Sequence, residues 1–333
     1  MERTAAFVTG GSGFLGGNLI EGLVRQGVPV RALARSDASA ERVRARGAEA
    51  AMGDLDSVTI LGEAMRGCDT VFHAAAWLPD HDRARAWRVN VQGTANILAA
   101  ARAAGVRRVV YVSGTGVTIG SGPVVDWDEA RGRGKPVGVL SASRIRCEEV
   151  VEADPSDLEK VIVRFPYLWG NGDTFRPVVA ALVRGGRFRW IARGEHKVSV
   201  CHIDNAVHGL LLAATRGVPG RIYWIADDQA MRLKDFVQAQ LDVDGLAALA
   251  SSMPLGLAKL LAELLPRAMR LAGIHRHSPL TPTTVRFLGQ QITVDTARAR
   301  RELGYRPLVS WEDGLRGLLP VQQARAVRRP RGP

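Results

Sequence analysis

Short apolar runs alternate with amphipathic stretches along the first half of the chain. Runs that are typical of buried parallel strands occur at residues 5–8, 30–34, 48–52, 70–75, 109–113 and 161–164. Apolar residues at helical spacing follow the first run, and further helical stretches are predicted around residues 57–66 and 84–104. Strands that alternate with helices predict an α/β fold with a doubly wound parallel sheet of the Rossmann type.

A glycine-rich turn lies between the first predicted strand and the first predicted helix. Its residues are Thr9, Gly10, Gly11, Ser12, Gly13, Phe14, Leu15 and Gly16. Gly10 can adopt turn angles that other residues avoid, Gly13 leaves room for a pyrophosphate, and Gly16 lets the helix pack close to the strand. The helix N-terminus offers free N–H groups and the positive end of its dipole to phosphates. Glycines in this position therefore predict a dinucleotide site.

The residues after the second predicted strand bear on which dinucleotide is bound. In NAD sites a carboxylate at this strand end binds the ribose 2′-hydroxyl, whereas an arginine suits a 2′-phosphate. The strand at residues 30–34 is followed by Arg35, which indicates NADP. Asp37 lies two residues later, and it leaves NAD open as the alternative.

The net charge of +12 raises the question of a nucleic-acid partner. The arginines are spread through the predicted helices, and no aromatic residues are interleaved with them as a stacking platform. We therefore expect no nucleic-acid partner. The basic C-terminal segment, residues 321–333, is expected to be a disordered tail.

Cysteine usage and the N-terminal sequence indicate where the protein resides. The 3 cysteines lie far apart and form no disulfide or metal-ligand pattern, which fits a reducing compartment. The chain starts without a signal-peptide pattern and runs directly into the first predicted strand. These features predict a cytoplasmic protein without a metal site.

Residues 246–274 are unusually rich in leucine. Pro254 and Pro266 are expected to break this region, and charged side chains lie within it, so no membrane span is predicted. We expect helices that cover a substrate cleft, in preference to a helix lying on a membrane surface. An apolar cover favours a small hydrophobic substrate.

Short motifs along nearly the whole chain, up to about residue 320, match one family of proteins. Besides the glycine turn they are Gly53-Asp54-Leu55, His73-Ala74-Ala75, Asn90-Val91-Gln92-Gly93-Thr94, Tyr111-Val112-Ser113, Arg164-Phe165-Pro166, His202-Ile203-Asp204 and Glu302-Leu303-Gly304-Tyr305-Arg306-Pro307. With these motifs the chain resembles the extended short-chain dehydrogenase/reductases. The branch that it resembles contains 3β-hydroxysteroid dehydrogenases, dihydroflavonol reductases and sugar epimerases.

The resemblance implies two domains and a homodimer. The dinucleotide-binding domain would comprise residues 1–166 and about 202–226. A smaller, mostly helical substrate domain would comprise about residues 167–201 and 227–320. Members of the family often pair through the helices after the fourth and fifth strands, here about residues 84–104 and 141–152.

The resemblance also implies further cofactor-binding residues. To Gly10, Ser12, Gly13, Phe14, Leu15, Gly16 and Arg35 it adds Asp54, Leu55, Ala74, Ala75, Arg144 and Pro166. Arg144 could bind the ribose hydroxyls, since a guanidinium offers several N–H donors.

Two of the expected catalytic residues are missing. Hydride transfer to a carbonyl leaves an alkoxide that needs a proton. In the family, a tyrosine assisted by a lysine four residues later supplies that proton, and a serine or threonine binds the substrate oxygen. Thr115 matches the serine or threonine. Ser143 and Glu148 match the helix around the pair, which places Leu140 at the tyrosine position and Arg144 at the lysine position.

Another group would then have to supply the proton. His81, between Asp80 and Asp82 on the loop after the fourth strand, is one candidate, because histidine exchanges protons near neutral pH. A solvated loop is the alternative interpretation of residues 80–82. Tyr167 is a second candidate, with packing as an equal alternative. Carboxylates before the helix, for which a solvated loop is again the simpler interpretation, are Asp126, Asp128 and Glu129.

Three functions remain open from the sequence. The first is an NADP-dependent oxidoreductase that acts on a hydrophobic small molecule with a different proton donor. The second is a redox-neutral enzyme, such as a cyclase or isomerase, and the third is a non-catalytic NADP-binding protein. Leu140 counts against the first and the apolar cover counts against the third, and we rank the oxidoreductase ahead of the other two.

Overall fold

The computed structural model describes residues 4–247, 251–271 and 280–318. The expected disordered tail at 321–333 lies outside these ranges. In chain order the strands are β1 (Ala5–Thr9), β2 (Val30–Ala34), β3 (Glu49–Met52), β4 (Cys68–His73), β5 (Arg108–Gly114), β6 (Val124–Trp127), β7 (Glu159–Phe165), β8 (Tyr167–Trp169), β9 (Trp190–Ile191), β10 (Lys197–Val198), β11 (Val200–His202), β12 (Ile222–Trp224), β13 (Met231–Arg232), β14 (Ser252–Met253) and β15 (Ile292–Val294).

The helices flank these strands on both sides. In chain order they are α1 (Phe14–Arg25), α2 (Asp37–Arg44), α3 (Val58–Met65), α4 (Arg83–Ala86), α5 (Gly93–Ala103), α6 (Gly138–Ala153), α7 (Phe175–Arg184), α8 (Ile203–Arg216), α9 (Leu233–Val243), α10 (Leu255–Leu271), α11 (Pro282–Gly289) and α12 (Trp311–Leu318). A π-helical segment, Trp87–Gln92, joins α4 to α5, so the helical stretch predicted at 84–104 is interrupted by wider turns.

The main sheet has seven parallel strands in the order β12-β7-β5-β4-β1-β2-β3. Helices α1 and α8 pack on one face, where Leu19 and Leu210 are buried. Helices α3, α5 and α6 cover the other face, where Leu61, Ile97 and Cys147 are buried. The predicted doubly wound sheet is confirmed. Its order reverses between β1 and β4, and a ligand crevice forms at the carboxyl ends of strands at such a point.

A second layer of structure follows β7. Helices α7, α9 and α12 enclose an aromatic cluster that includes Trp169 and Phe236. A four-stranded sheet, β13-β10-β15-β6, has three of its strands in the same part of the chain, and β6 precedes β7. This part is small and mostly helical, as the resemblance implies.

Two segments cross the domain boundaries that the sequence suggested. Strand β6, within residues 1–166, pairs with β15 and so belongs to the smaller sheet. Ala299, Leu303 and Tyr305, within the range given to the substrate domain, are buried in the core of the large sheet with α8. The chain therefore passes between the two parts more often than the motifs indicate.

The leucine-rich region differs from the sequence expectation at one point. Pro266 does not break the helix, because α10 continues from Leu255 to Leu271 with Pro266 inside it. Proline removes one N–H donor, so the carbonyl four residues earlier loses its usual helical partner. No helix among the described residues has both the length and the apolar character needed to cross a membrane.

A buried ion pair fixes α6 to the sheet. Arg164, at the end of β7, donates from Nε to Glu148 Oε1 at 2.9 Å and from Nη2 to Oε2 at 2.6 Å. Both side chains are fully buried. Arg133 adds a bond from its Nε to Glu148 Oε2 at 2.9 Å, so the carboxylate has charged donors on both oxygens. A bidentate contact of this kind sets both the position and the rotation of the helix.

Removing one partner of this pair should destabilise the protein strongly. We expect Arg164→Met to lower the free energy of unfolding by roughly 3 kcal/mol, because the buried Glu148 carboxylate would lose its bidentate partner and keep only Arg133. Urea denaturation measures this change. Arg146→Met is the matched control on α6, since the pair of Arg146 with Glu149 is exposed and should change stability by less than about 1 kcal/mol. Equal effects of the two variants would contradict the prediction.

Candidate active site

The glycine turn is closed by the approach of Gly16 to the carbonyl of Gly10, its first glycine. Gly10 has φ +73°, in the left-handed region, and its carbonyl accepts the N–H of Gly13 at 3.0 Å. A Cβ on Gly16 would overlap the Gly10 carbonyl, and a Cβ on Gly10 would lie 2.8 Å from the backbone nitrogen of Ala75. Gly16 is thus required because the helix start lies close to the carbonyl of Gly10 in the turn itself. The glycine spacing had predicted a close approach of the helix to the strand.

The tip of the turn is open to a ligand. Gly13 is exposed, Ser12 and Phe14 are partly exposed, and Leu15 packs partly against the core. Gly13 stands at the cap position of α1 without a side-chain hydrogen bond to the first turn. The free N–H groups there fit a pyrophosphate, and no side chain of the turn fills the space beside Gly13. The residues present therefore fit a dinucleotide.

A buried network holds the ends of β1 and β4 together. The Thr9 hydroxyl lies 2.8 Å from His73 Nδ1 and accepts the N–H of Ala75 at 3.1 Å. His73 Nε2 lies 3.1 Å from the Thr94 hydroxyl, which donates to the carbonyl of Asn90 at 2.6 Å. Since the Thr94 proton is committed to that carbonyl, His73 donates from Nε2 and accepts from Thr9 at Nδ1.

His73 is therefore a neutral structural residue. Burial, together with the nearby charge of Arg144, lowers the pKa of His73 to about 3. The Thr9 hydroxyl, which is bonded to the imidazole, holds the backbone N–H of Ala75, and Ala74 and Ala75 lie opposite Gly10. A cofactor-binding role for both alanines stays a prediction of the resemblance.

Two predicted cofactor residues lie at the neighbouring strand ends. Arg35 is exposed directly after β2, and the adjacent Ser36 caps α2 by accepting the N–H of Ser39 at 3.3 Å. Asp54 is exposed after β3, and its Oδ1 accepts the N–H of Asp56 at 2.9 Å. Both side chains are at the carboxyl edge of the sheet, where the crevice opens.

Leu55 and Pro166 are two further predicted cofactor residues, and both are buried. Leu55 is buried against α5, where a Cβ on Gly93 would lie 2.9 Å from its Cδ1. Its carbonyl accepts the Asn96 Nδ2 hydrogen at 2.7 Å, which fixes the loop after β3. Pro166 is buried between β7 and β8 at the same edge of the sheet.

The start of α6 is capped by a residue from another loop. Asp80, on the loop after β4, accepts the N–H of Leu140 at its Oδ1 at 2.7 Å. A Cβ on Gly138 would lie 2.5 Å from both Asp80 Oδ2 and Thr283 Oγ1, so α11 meets the loop and the helix at this point. The Oδ2 atom is buried and has no hydrogen-bond partner among the described residues. The loop after β4 is therefore held against the helix that carries Leu140.

A second network lies one turn further along α6. Asn90, in the π-helical segment, accepts the N–H of Trp77 at 2.6 Å and donates to its carbonyl at 3.0 Å. Asn90 Nδ2 also donates to the Ser143 hydroxyl at 3.0 Å, and that hydroxyl donates to the carbonyl of Leu140 at 3.0 Å. Both ends of the loop at 77–80 are thus fixed to α6.

Thr115 and Arg144 meet at the end of β5. Thr115 is buried in the turn directly after the strand, and its carbonyl accepts the N–H of Thr118 at 3.0 Å. Arg144 donates from Nη1 to the carbonyl of Val112 at 2.9 Å. A Cβ on Gly116 would lie 3.8 Å from Arg144 Cγ, so the Arg144 side chain runs along the Thr115 turn. The fold therefore places Arg144 beside the turn that begins at Thr115, and Leu140 lies one turn earlier on α6. Their catalytic roles stay predictions.

Tyr167 lies apart from this group. Its hydroxyl donates to the carbonyl of Phe287 at 2.7 Å, and its ring packs against Phe175, Phe236 and Phe287. Burial raises the pKa of the Tyr167 hydroxyl well above its usual value. These contacts give Tyr167 a packing role, in contrast to the catalytic role that the sequence suggested.

The remaining candidate acids divide between two places. His81 is exposed beside Asp80, on the loop that is held to α6. Asp82 caps α4 by accepting the N–H of Arg85 at 2.9 Å. The carboxylates near β6 accept structural hydrogen bonds from Thr293, Arg131 and Trp224; they are Asp126, Asp128 and Glu129. No cluster of His, Cys, Asp or Glu in the described ranges could hold a metal ion.

Comparisons with known proteins agree with this geometry. A family model described as NAD(P)H-binding matches residues 10–189. One relative, from Stigmatella aurantiaca, is named 4-hydroxy-2-methyl-3-oxo-4-farnesyl-3,4-dihydroquinoline-1-oxide ketoreductase. It is 38% identical over 94% of this chain and 95% of that protein. A 2-alkyl-3-oxoalkanoate reductase of Stenotrophomonas maltophilia is 32% identical over 93% of this chain and 97% of that protein.

Solved structures show the same fold. The dTDP-glucose 4,6-dehydratase of Streptomyces venezuelae, with NAD bound, has a TM-score of 0.74 at 24% identity and covers 98% of each chain. The chain belongs to the NAD(P)H-binding family of extended short-chain dehydrogenase/reductases.

Closing the glycine turn should be essential for binding the dinucleotide. We expect Gly16→Ala to weaken NADPH binding at least about tenfold, because the new Cβ would push the Gly10 carbonyl out of the turn. Fluorescence titration with NADPH measures this affinity. Gly62→Ala is the control, since its Cβ on α3 meets only the carbonyl of Ala100 at 3.8 Å and should leave binding unchanged. Unchanged affinity in Gly16→Ala would show that the turn does not hold the cofactor.

Proposed function

We propose that this chain is an NADP(H)-dependent oxidoreductase that reduces a ketone on a small hydrophobic molecule. The observation that carries the proposal is the glycine turn, closed by Gly16 against Gly10 and facing Ala74 and Ala75 at the carboxyl edge of the sheet. Two relatives that match almost the whole chain are named as reductases of oxo compounds with alkyl or farnesyl groups. The leucine-rich helix α10 supports an apolar substrate.

Residues at the end of β5 would bind the reacting oxygen. When bound, the reduced nicotinamide cofactor supplies a hydride. The Thr115 hydroxyl donates a hydrogen bond to the substrate oxygen as negative charge develops there. Arg144 binds ribose hydroxyls and places a permanent positive charge near the same oxygen, in the position where relatives of this family use lysine.

His81 is our proposed proton donor. Leu140 has no proton to give, and the hydroxyl of Tyr167 is committed to a carbonyl inside the core. Asp80 holds its loop to the backbone of Leu140, and the adjacent His81 is thereby kept on the segment that borders the cleft. The imidazole protonates the alkoxide directly or through one water.

We also propose that the protein is cytoplasmic and that it forms a homodimer through α5 and α6. The dimer rests on the family resemblance. The exposed pair of Arg146 and Glu149 makes this surface of α6 more polar than most dimer interfaces.

Arg35 should determine the choice of cofactor. We expect Arg35→Ala to weaken NADP binding roughly tenfold to a hundredfold while NAD binding stays the same, because a charged hydrogen bond to the 2′-phosphate would be lost. Titration calorimetry with both dinucleotides measures the preference. Arg42→Ala, an exposed arginine on α2, is the matched control. If the parent protein binds NAD as tightly as NADP, the assignment fails.

Removing the proposed proton donor should lower turnover with little effect on cofactor binding. We expect His81→Gln to reduce kcat about a hundredfold or more, with NADPH affinity unchanged. His73 cannot replace the donor, because burial holds its pKa at about 3 and leaves the ring neutral. His208→Gln, on the other face of the sheet, is the control.

The double variant Leu140→Tyr with Arg144→Lys gives the opposing test. We expect no gain in ketone reduction, because the backbone of residue 140 is fixed by Asp80 and Ser143 in a cleft shaped around leucine. The assay follows NADPH absorbance with a panel of cyclic ketones. A variant much faster than the parent would show that the missing pair was the only obstacle and that no other donor had replaced it.

Leu140 also favours one other candidate function. An enzyme that catalyses a redox-neutral cyclisation or isomerisation has no need of the tyrosine hydroxyl at that position. Product formation without net NADPH oxidation would select this function over the reductase.

A further inference from the structure

Helix α10 has two apolar faces, and only one of them is covered by the described residues. Ala258 and Ala262 are buried towards α11. On another side of the helix, Leu257, Leu260 and Leu264 are 46%, 52% and 48% exposed, spaced three and four residues apart. At this spacing the three side chains form one continuous stripe.

A contiguous stripe of exposed leucines is unusual on a soluble surface and marks an interaction site. No described helix is long and apolar enough to cross a membrane. On a membrane, α10 would therefore lie along the surface. A helix with one apolar face and polar residues beside it is suited to the boundary between lipid headgroups and acyl chains. Charged residues border the stripe: Glu263 and Arg267 are exposed, three residues after Leu260 and Leu264.

A basic segment lies against the start of this helix. Strand β9 pairs with β14, and the N–H of Arg193 donates to the Ser252 hydroxyl at 2.9 Å, three residues before α10 begins. The arginines of this segment are all exposed; they are Arg184, Arg187, Arg189 and Arg193. Within the described part of the chain none of these four forms an ion pair with a carboxylate. Four exposed arginines therefore lie on a segment that adjoins the helix with the exposed leucines.

We propose that this surface, α10 together with residues 184–193, docks the protein on an anionic lipid bilayer. Charge complementarity selects this occupant. A second copy of the chain docked on this surface would bring its own arginines close to these four, and like charges repel. The chain's own segments at 272–279 and 319–333 contain no Asp or Glu, so they carry no charge that complements the arginines.

The docked surface lies one helix away from the candidate site. Helix α10 packs on α11, and Thr283 of α11 lies at the Gly138 and Asp80 junction beside Leu140. A substrate with a long hydrocarbon chain would pass from the bilayer to the cleft along α10 without crossing water. This substrate route rests on the proposed function, whereas the docking itself does not.

Sedimentation of the full-length protein with lipid vesicles tests the proposal. We expect the protein to pellet with vesicles of phosphatidylcholine and phosphatidylglycerol in a 3:1 ratio and to bind pure phosphatidylcholine far less. Leu260→Ser with Leu264→Ser should weaken binding at least about tenfold. Arg187→Ala with Arg189→Ala should weaken it roughly thirtyfold, and this contribution should fall with added salt.

Matched controls separate docking from general loss of structure. Leu308→Ser removes another exposed leucine, and Arg25→Ala removes an exposed arginine at the end of α1. Both should bind vesicles like the parent protein, and thermal unfolding should show that every variant is folded.

Several results would overturn the proposal. The parent protein would stay in the supernatant with anionic vesicles, or the leucine variant would pellet like the parent. A leucine variant that changed the molecular mass in light scattering, with vesicle binding unaltered, would assign the stripe to a second copy. NADPH oxidation with a water-soluble ketone and no vesicles tests the proposed function separately, so failure of one does not imply failure of the other.

Discussion

The arrangement of the site depends on one buried ion pair, that of Glu148 with Arg164. Removing two charges from water is costly, and it is offset only when both groups are saturated with hydrogen bonds. Here Arg133 completes the set on the carboxylate. Because Glu148 lies about two turns from Leu140 on α6, the pair fixes where the start of that helix stands relative to β5 and β7. The positions of Leu140, Arg144 and the loop bonded to them follow from this contact.

Around that fixed helix the proposed function divides two tasks between different elements. The resemblance implies a tyrosine that protonates the substrate oxygen and a serine or threonine that binds it. Residue 140 is aliphatic. Under the proposed function, Thr115 and Arg144 would therefore bind the oxygen, and another element would supply its proton. The loop after β4 is the segment that the structure ties to residue 140, through Asp80 and through Asn90.

The sequence predicted the parts of the structure that depend on local pattern. Six of the seven strands of the main sheet coincide with predicted apolar runs, and the glycine turn is defined by its place between a strand and a helix. Contacts between distant short segments carry no such pattern. Strands β6 and β15 have 4 and 3 residues and lie far apart in the chain, so their pairing was not predicted. The same is true of Asp80, whose capping bond joins residues 80 and 140.

Side-chain environment was the other limit of the sequence analysis. Tyr167 and His81 were both candidate proton donors from the sequence, and only the fold shows that the first is enclosed by aromatic rings and the second is at the surface. The sequence of α10 indicated an amphipathic helix, but it could not indicate that Ala258 and Ala262 would face the protein and the leucines would face outwards. Such choices depend on which neighbouring element offers a complementary surface.

The π-helical segment Trp87–Gln92 places a constraint on chain length in this family member. A π turn holds one residue more than an α turn, and each residue rotates a helix by about 100°. A chain with one residue fewer here would form a regular α-helix, and Asn90 would turn away from Trp77 and Ser143. Such a deletion would therefore be tolerated less readily than a substitution on a surface helix. The segment is therefore a place where insertions and deletions between relatives should change the active-site loop, although none of its residues is proposed to touch the substrate.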